Sequence, residues 1–440
     1  MFTSNTPENI REMLAKIGVE KVEDLFATIP AGVRYPALQL PPALTEGALT
    51  RHLQELAAKN KPLSNFIGAG CEEHFIPAAV NALSSRGEFL TAYTPYQAEA
   101  SQGTLQTIYE FQSCICELFD MDVCNASHYD GATALAEACA ACLRVNNKTK
   151  ILYSAGLHPH YKQVLKTYLK HIPGLVLQEV PLQNGTVDLT ALKNALTPEV
   201  SCFAVAGPNF LGQLEPLEDI SALVHGAGAL LVAVAKPLAL GVLHTPGQYG
   251  ADFAVAEGQP LGNAMNFGGP GLGIFTCKKE YVRQVPGRIV GMAKDKDSKR
   301  SFVLTLQARE QHIRRERAAS NICSNEALCA LNAVVYLTLL GPAGLREVSE
   351  LNLERAHRLK EMLVADGHKV KFDGLFFNEF VLQLNAPAKQ VIKKLAKKGI
   401  AAGFDLGRVS KDWADCLLVC VTETKTEEDL QSYVQALRGV

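Results

Sequence analysis

Continuous apolar runs alternate with helical periodicity through the middle of this chain, and that alternation predicts most of its architecture. Ile151–Ser154, Val176–Val180, Cys202–Ala206, Leu230–Ala235, Asp252–Ala256 and Gly273–Cys277 are strand-sized apolar segments. Leu105–Phe119, Tyr161–His171, Leu189–Leu196 and Leu217–His225 carry apolar residues at helical spacing between or before them. Strands buried on both faces read as near-continuous hydrophobic runs, so a parallel or mostly parallel sheet covered by helices is expected from Phe66 to about Ile289. Ahead of it, Asn9–Ile17 and Val22–Ile29 predict a helical arm with proline joints at Pro30, Pro36, Pro41 and Pro42. Behind it, helices over Asn325–Leu340 and Gly344–Asp366 lead into a smaller α+β unit. Its expected strands are Lys369–Phe372, Glu379–Leu384 and Leu417–Thr422, and its helices Ala388–Lys398 and Glu427–Leu437. Thr426 and Asp429 have capping-box spacing for the last helix. The expected domains are 1–60 (helical arm), 61–310 (large α/β domain) and 311–440 (linker helices and small α+β domain).

Composition mostly excludes. At 440 residues the chain is long enough for more than one core. A net charge of −2 implies no basic surface for nucleic acid, and the apolar runs, such as Ala229–Ala235, are too short to cross a bilayer. The first residues have no apolar core of a secretory signal, so a cytoplasmic location is expected. Twelve cysteines sit mostly in apolar stretches and read as buried thiols. The Cys139–Cys142 pair lacks a second pair at zinc spacing, and no metal site is expected. His158-Pro159-His160 reads as a loop between strand and helix. Lys294–Arg317, containing KDKDSKR and REQHIRRER, reads as a solvated connector with salt-bridged helical turns. Lys393, Lys394, Lys397 and Lys398 read as a solvated helix face.

Three segments carry candidate chemistry. Gly68-Ala69-Gly70 with His74 is weak and equally well a turn. The segment from Thr91 to Gly103 presents Tyr93, Thr94, Pro95, Tyr96, Gln97 and Glu99 within a few residues, the density of polar and aromatic groups a small polar substrate needs. A turn fixed by Pro95 with the tyrosines capping a core explains it equally. Asp130-Gly131-Ala132-Thr133 runs into a helix N-terminus, where free N–H groups suit an anion, but an Asp-capped helix gives the same pattern.

These pieces together with TAYTPYQAEASQGTLQTIYEFQ, DGATALAEA and YGADFAVAEGQPLGNAMNFGGPGLG resemble the glycine decarboxylase, or P-protein, family of the glycine cleavage system, in particular the alpha subunit of its two-chain form. The resemblance runs over nearly the whole chain. It implies the α/β fold of type I pyridoxal-phosphate (PLP) transferases: a mostly parallel sheet in a large domain plus a smaller C-terminal α+β domain. In such enzymes a lysine in the loop after the Asp252–Glu257 strand holds the cofactor. Here that loop is Gly258-Gln259-Pro260-Leu261-Gly262, and residues 237–277 contain no lysine. The resemblance therefore implies a subunit with no catalytic lysine of its own, with Gln259 and Pro260 standing where it would be. PLP would be held by a beta subunit and not covalently by this chain. The pair would decarboxylate glycine and pass the aminomethyl group to the lipoyl arm of the H-protein, in an assembly of two alpha and two beta chains. Tyr93, Thr94, Pro95, Tyr96, Gln97 and Glu99 would face the pocket in trans, and Asp130–Thr133 would be a vestigial anion-binding turn. Lys236 lies where related enzymes commonly carry an acid, and reads as incidental. Two rival readings remain: a self-sufficient PLP lyase or aminotransferase using Lys236, and a non-catalytic binding protein on the same scaffold.

Overall fold

The computed structural model describes residues 5–34, 38–91 and 93–438. Pro36 of the arm and Ala92 of the tyrosine segment lie outside the described residues. The chain divides into two compact units, Met1–Lys61 and Pro62–Val440.

In the first unit a helix spans Pro7–Ile17, opened by a Thr6–Asn9 capping box and closed at Gly18, whose φ of 88° suits only a residue without a side chain. Val22–Phe26 is a 3-10 turn rather than the longer helix expected. A second helix, Glu46–Ala57, starts on the Thr45 side chain and was not anticipated.

The second unit is built on a seven-stranded sheet. Its strands are β1 (Val123–Cys124), β2 (Lys150–Ser154), β3 (Val176–Val180), β4 (Val200–Gly207), β5 (Leu230–Ala235), β6 (Phe253–Glu257) and β7 (Gly273–Cys277), in the spatial order β1-β7-β6-β5-β4-β2-β3. Neighbours from β6 through β5, β4 and β2 to β3 are parallel, whereas β7 runs antiparallel to both β6 and β1. All six strands expected here are present, within two residues of the expected ends. The two-residue β1 was not legible, being too short to show a period.

Helices cover both faces. On one side α2 (Gly131–Asn146) and α3 (Pro159–Leu169) pack against the sheet. Ala134, Ala138, Ala141, Cys139 and Cys142 are fully buried there against Ile151, Cys202, Phe253 and Phe275. Small side chains let this helix lie close to the strands, which explains the alanine-rich sequence and places the Cys139–Cys142 pair in the core. The opposite face buries α1 (Gln102–Phe119), α4 (Leu217–Gly226) and the first part of a long helix, α5 (Ala327–Ala365). That helix is long and apolar enough by composition to cross a membrane. It is interrupted at Gly341 (φ 60°, ψ −175°) before Pro342, and Ala330, Ala333 and Tyr336 lie in the main core. It is thus two helices, as the sequence implies, although the expectation that every apolar run is strand-sized does not cover it.

The charged stretch corrects another expectation. Ile289–Lys294 and Arg300–Thr305 form an antiparallel hairpin, β8 and β9, joined by the KDKDSK turn. Only the residues beyond Leu306 make short helical turns. The stretch is not a free connector: Arg309 donates to the carbonyls of Val285 and Gly287, and Phe302 is buried with Leu105, Ile108 and Val290.

The C-terminal part carries a four-stranded sheet of β10 (Lys369–Val370), β11 (Glu379–Gln383), β12 (Phe404–Asp405) and β13 (Cys416–Cys420), in the order β10-β11-β13-β12. Helices α6 (Ala388–Lys397) and α7 (Glu427–Leu437) pack on it around Phe380, Leu382, Leu417 and Tyr433, and the Thr426–Asp429 capping box is formed. Residues 64–65 pair with 400–401, tying the start of this unit to its small sheet. The lysines of α6 are exposed.

Candidate functional site

The parallel strands β4, β5 and β6 end together, and the loops leaving them surround two joined cavities of about 100 and 670 Å³ that share Gly70, His158, Tyr161 and Glu257. In open parallel sheets this edge is where ligands bind.

Lys236 follows β5 directly and lines the inner cavity. Its ammonium is bonded to Glu72, to Glu379 Oε2 at 2.9 Å and to Asn378 Oδ1 at 2.6 Å. Burial would pull its pKa down, but the charges of Glu379 and Glu72 outweigh it and hold the amine protonated well above the ordinary lysine range. Burial likewise opposes ionisation of Glu72, and Lys236 and His74 overcome it, so Glu72 is held ionised. Glu379 is raised by burial, Lys236 only partly offsetting it while the Glu72 charge adds to it. The network continues through His74, whose ring nitrogens bond Glu423 at 2.8 Å and Glu72 at 3.3 Å. Those two carboxylates overcome burial and raise the imidazole to about 9. Asn378 Nδ2 donates to Glu72, Asn352 Nδ2 to Glu423, and Arg355 to the Glu423 carbonyl. Lys236 is therefore not incidental. It is the central cation of a buried charge network, and its amine has no free pair to offer a carbonyl. Glu72, Glu379 and Cys420 bring donor atoms within 4.8 Å of one another, a spacing that could hold a metal ion, and the Lys236 ammonium already neutralises both of those acids.

At the end of β6, Glu257 turns its carboxylate inward. Oε1 accepts from Leu272 N (2.8 Å) and Gln259 N (2.9 Å), and Oε2 accepts from Gly131 N (3.1 Å). Asp130 caps the same helix, its Oδ1 accepting from Thr133 N at 2.7 Å while Thr133 completes the box. The turn Asp130–Thr133 thus has its N–H groups of Gly131 and Thr133 taken by two acids of the chain. Of its two sequence readings, the structure builds the capped helix. Gln259, in the lysine's place, is buried and clamps the backbone of Glu72 from both sides: its Oε1 accepts from Glu72 N and its Nε2 donates to Glu72 O, both at 3.2 Å. Pro260 lines the inner cavity. His158 caps α3 by accepting from His160 N and bonds Ala69 O through Nε2 at 2.9 Å; burial lowers it to about 4, so it stays neutral.

The tyrosine segment stands apart. None of Tyr93, Thr94, Pro95, Tyr96, Gln97 or Glu99 lines the joined cavities. Pro95 is buried, Thr94 half-buried, and Tyr93, Tyr96, Gln97 and Glu99 are exposed, Tyr93 by 81%. The tyrosine rings lie at the surface and not inside the core, with Tyr96 packed over the buried Arg288.

The residues that line this cavity do not fit a covalently held PLP. Gln259 stands where the resemblance places the lysine, the Gly131 and Thr133 N–H groups are taken by Glu257 and Asp130, and the Lys236 ammonium is already bonded to Glu72, Glu379 and Asn378. The network residues Glu72, Asn378, Glu379 and Glu423 escaped the sequence reading because they come from three distant segments; only the acids flanking His74 in CEEHF were a local sign.

The sheet order, the ligand-edge cavities and the small sheet beyond them define a type I PLP-enzyme fold. A sphingosine-1-phosphate lyase of Burkholderia pseudomallei shares that fold, with a TM-score of 0.65 at 14% identity over 93% of this chain and 94% of that one. Within this class the chain belongs to the glycine cleavage system P-protein family, whose profile matches residues 2–437. A probable glycine dehydrogenase (decarboxylating) subunit 1 of Moorella thermoacetica is 51% identical over 100% of this chain and 99% of its own length. A crystal structure of glycine decarboxylase (P-protein) of the glycine cleavage system, in inhibitor-bound form, has a TM-score of 0.92 at 45% identity, covering 100% of this chain and 99% of that one.

Proposed function

We propose that this chain is the lysine-less subunit of a glycine decarboxylase. A second subunit holds PLP. The two together decarboxylate glycine and transfer the aminomethyl group to the lipoyl arm of the H-protein. The observation that carries the reading is Lys236 fixed between Glu72 and Glu379 while Gln259 occupies the loop after β6. A chain of this family with its own site filled contributes surface to a site held elsewhere. The exposed Tyr93, Tyr96 and Glu99 are the groups it offers, and walls from a second chain keep water from the reacting carbon. The subunit naming of its relatives supports a partner chain, and the two-fold habit of oligomers supports an assembly of two such chains with two partners. Twelve free cysteines accord with a reducing, cytoplasmic setting.

The test mixes purified chain with PLP, alone and with the partner subunit, followed by borohydride reduction and glycine–bicarbonate carboxyl exchange. The chain alone should give no visible absorbance band, no modified lysine and no exchange; the pair should exchange. A reduced PLP adduct mapped to Lys236 would overturn the reading in favour of a self-sufficient enzyme. A pair that assembles without raising exchange above the partner alone would favour a non-catalytic binding role.

A further inference from the structure

An unusual inversion of exposure lies under the tyrosine segment. Arg288 is 3% exposed and Glu310 is 6% exposed, while Tyr96, packed over Arg288, is 53% exposed. Arginine ordinarily keeps its head in water and tyrosine buries its ring. Here the cation is buried and the aromatic is held outward.

The backbone that carries Arg288 is pinned on two sides. Ala126 N donates to Arg288 O at 2.9 Å, Asn125 Nδ2 to Pro286 O at 3.0 Å, and Arg309 to the carbonyls of Val285 and Gly287. From this base the guanidinium lies 5.4 Å from the centre of the Tyr96 ring, and Nη2 donates to Tyr96 Oη at 3.1 Å. Behind it, Glu310 approaches Arg288 Nε at only 3.7 Å, too far for a hydrogen bond, and both Arg288 Nε and Glu310 Oε1 lack hydrogen-bond partners among the described residues. A fold that needed only a staple would complete this pair; an incompletely satisfied buried pair is a cost that calls for a reason. The His312 ring flanks Tyr96 edge-on at 5.9 Å.

We infer that Arg288, backed by Glu310, is the positioning residue for Tyr96. Because the phenol oxygen accepts from Arg288, its own proton is free for a second partner, and the half-exposed ring leaves room for one outside the chain. A cation held against the oxygen also makes that O–H a stronger donor. The result is a preorganised hydrogen-bond donor on an exposed loop, presented to an anionic or carbonyl oxygen in the joint active site. This rests on the reading above that the tyrosine segment serves the glycine reaction in trans.

The test is a double-mutant cycle in the reconstituted two-subunit enzyme, read by carboxyl exchange at varied glycine, with melting temperature and assembly measured for each variant. Arg288→Gln should slow exchange by up to about 100-fold, the order that misplacing a reacting group costs. The loss should fall on kcat more than on KM. In a Tyr96→Phe background Arg288→Gln should cost less than about 2-fold, since the hydroxyl it positions is gone. Arg288→Lys should recover part of the rate, because an ammonium can still donate to the phenol. Equal losses from Arg288→Gln with and without the Tyr96 hydroxyl overturn the inference, as does a wild-type rate in Arg288→Gln when Tyr96→Phe is slow. Tyr96→Phe at the wild-type rate overturns the tyrosine-loop reading itself. If Arg288→Gln fails to assemble, Arg288→Lys is read in the same cycle, and an additive loss there is again decisive against positioning.

Discussion

Replacing Lys236 with methionine tests the charge network at its centre. The substitution keeps most of the side chain's volume and removes the ammonium. Glu72 and Glu379 then remain with side chains 3% and 10% exposed and no shared cation, since His74 and Asn378 reach Glu72 but neither reaches Glu379. Removing one partner of a buried pair costs about 3–5 kcal/mol, because the other charge is left uncompensated. For a unit of this size each kcal/mol moves the melting temperature by roughly 1 °C, so Lys236→Met should melt about 3–5 °C below the parent near pH 8.

The sign of its pH dependence is fixed. Without the lysine, burial and mutual repulsion raise the folded-state pKa values of the two acids above their unfolded values. Stability is then present at low pH, where they are protonated, and lost as pH rises through the raised values. The deficit of Lys236→Met should therefore shrink as pH falls from 8 toward 5. Adding Glu379→Gln and Glu72→Gln should restore part of the loss at pH 8. The assay is thermal and denaturant unfolding of the isolated chain across that range. A variant melting within 1 °C of the parent at pH 8, or a deficit that grows on acidification, would refute the account.

Other outcomes follow from the same site. His74, raised from 6.5 to about 9 by Glu423 and Glu72 against the pull of burial, contributes stability that is full below pH 6.5 and lost as pH rises through 9. The loss is about 3 kcal/mol, and His74→Gln should flatten that alkaline slope in a pH series of melting curves. Gly131→Ala should destabilise by about 1–3 kcal/mol, since the added carbon would strike the Tyr161 hydroxyl and lie 2.7 Å from Glu257 N; melting unchanged from the parent would contradict this.

Much of the fold was legible because its strands are buried on both faces. Val200–Gly207 and Gly273–Cys277 are near-continuously buried, and no helix of that length would be apolar all round without a longer run. The hairpin Ile289–Thr305 was missed for the opposite reason. Its burial alternates and its turn is a run of charges, so the charge pattern hid a period-two signal over Ile289–Lys294. In the site, Gln259 was located by what it replaced, but its clamp on Glu72 spans 187 residues and no local spacing announces it. Arg288, Glu310 and His312 lay in and beside the stretch set aside as solvated. The residues that contact Tyr96 were therefore hidden by the same run of charges as the hairpin.

The departures from a cofactor site are mutually dependent rather than separate losses. Beside the strand end, where the resemblance expects an acid, stands Lys236, and its buried ammonium is compensated by Glu72 and Glu379. Glu72 is held in place by Gln259, the residue standing in the lysine's position. Gln259 N in turn donates to Glu257, whose other oxygen occupies the helix N-terminus where an anion would sit. Restoring a lysine at position 259 would release the clamp on Glu72, weaken the partner of Lys236, and leave Glu257 still blocking the turn. No single substitution reopens this site. On the function proposed above, a chain committed in that way serves decarboxylation through surface it presents to another subunit, and the exposed tyrosine segment over Arg288 is the surface proposed for it.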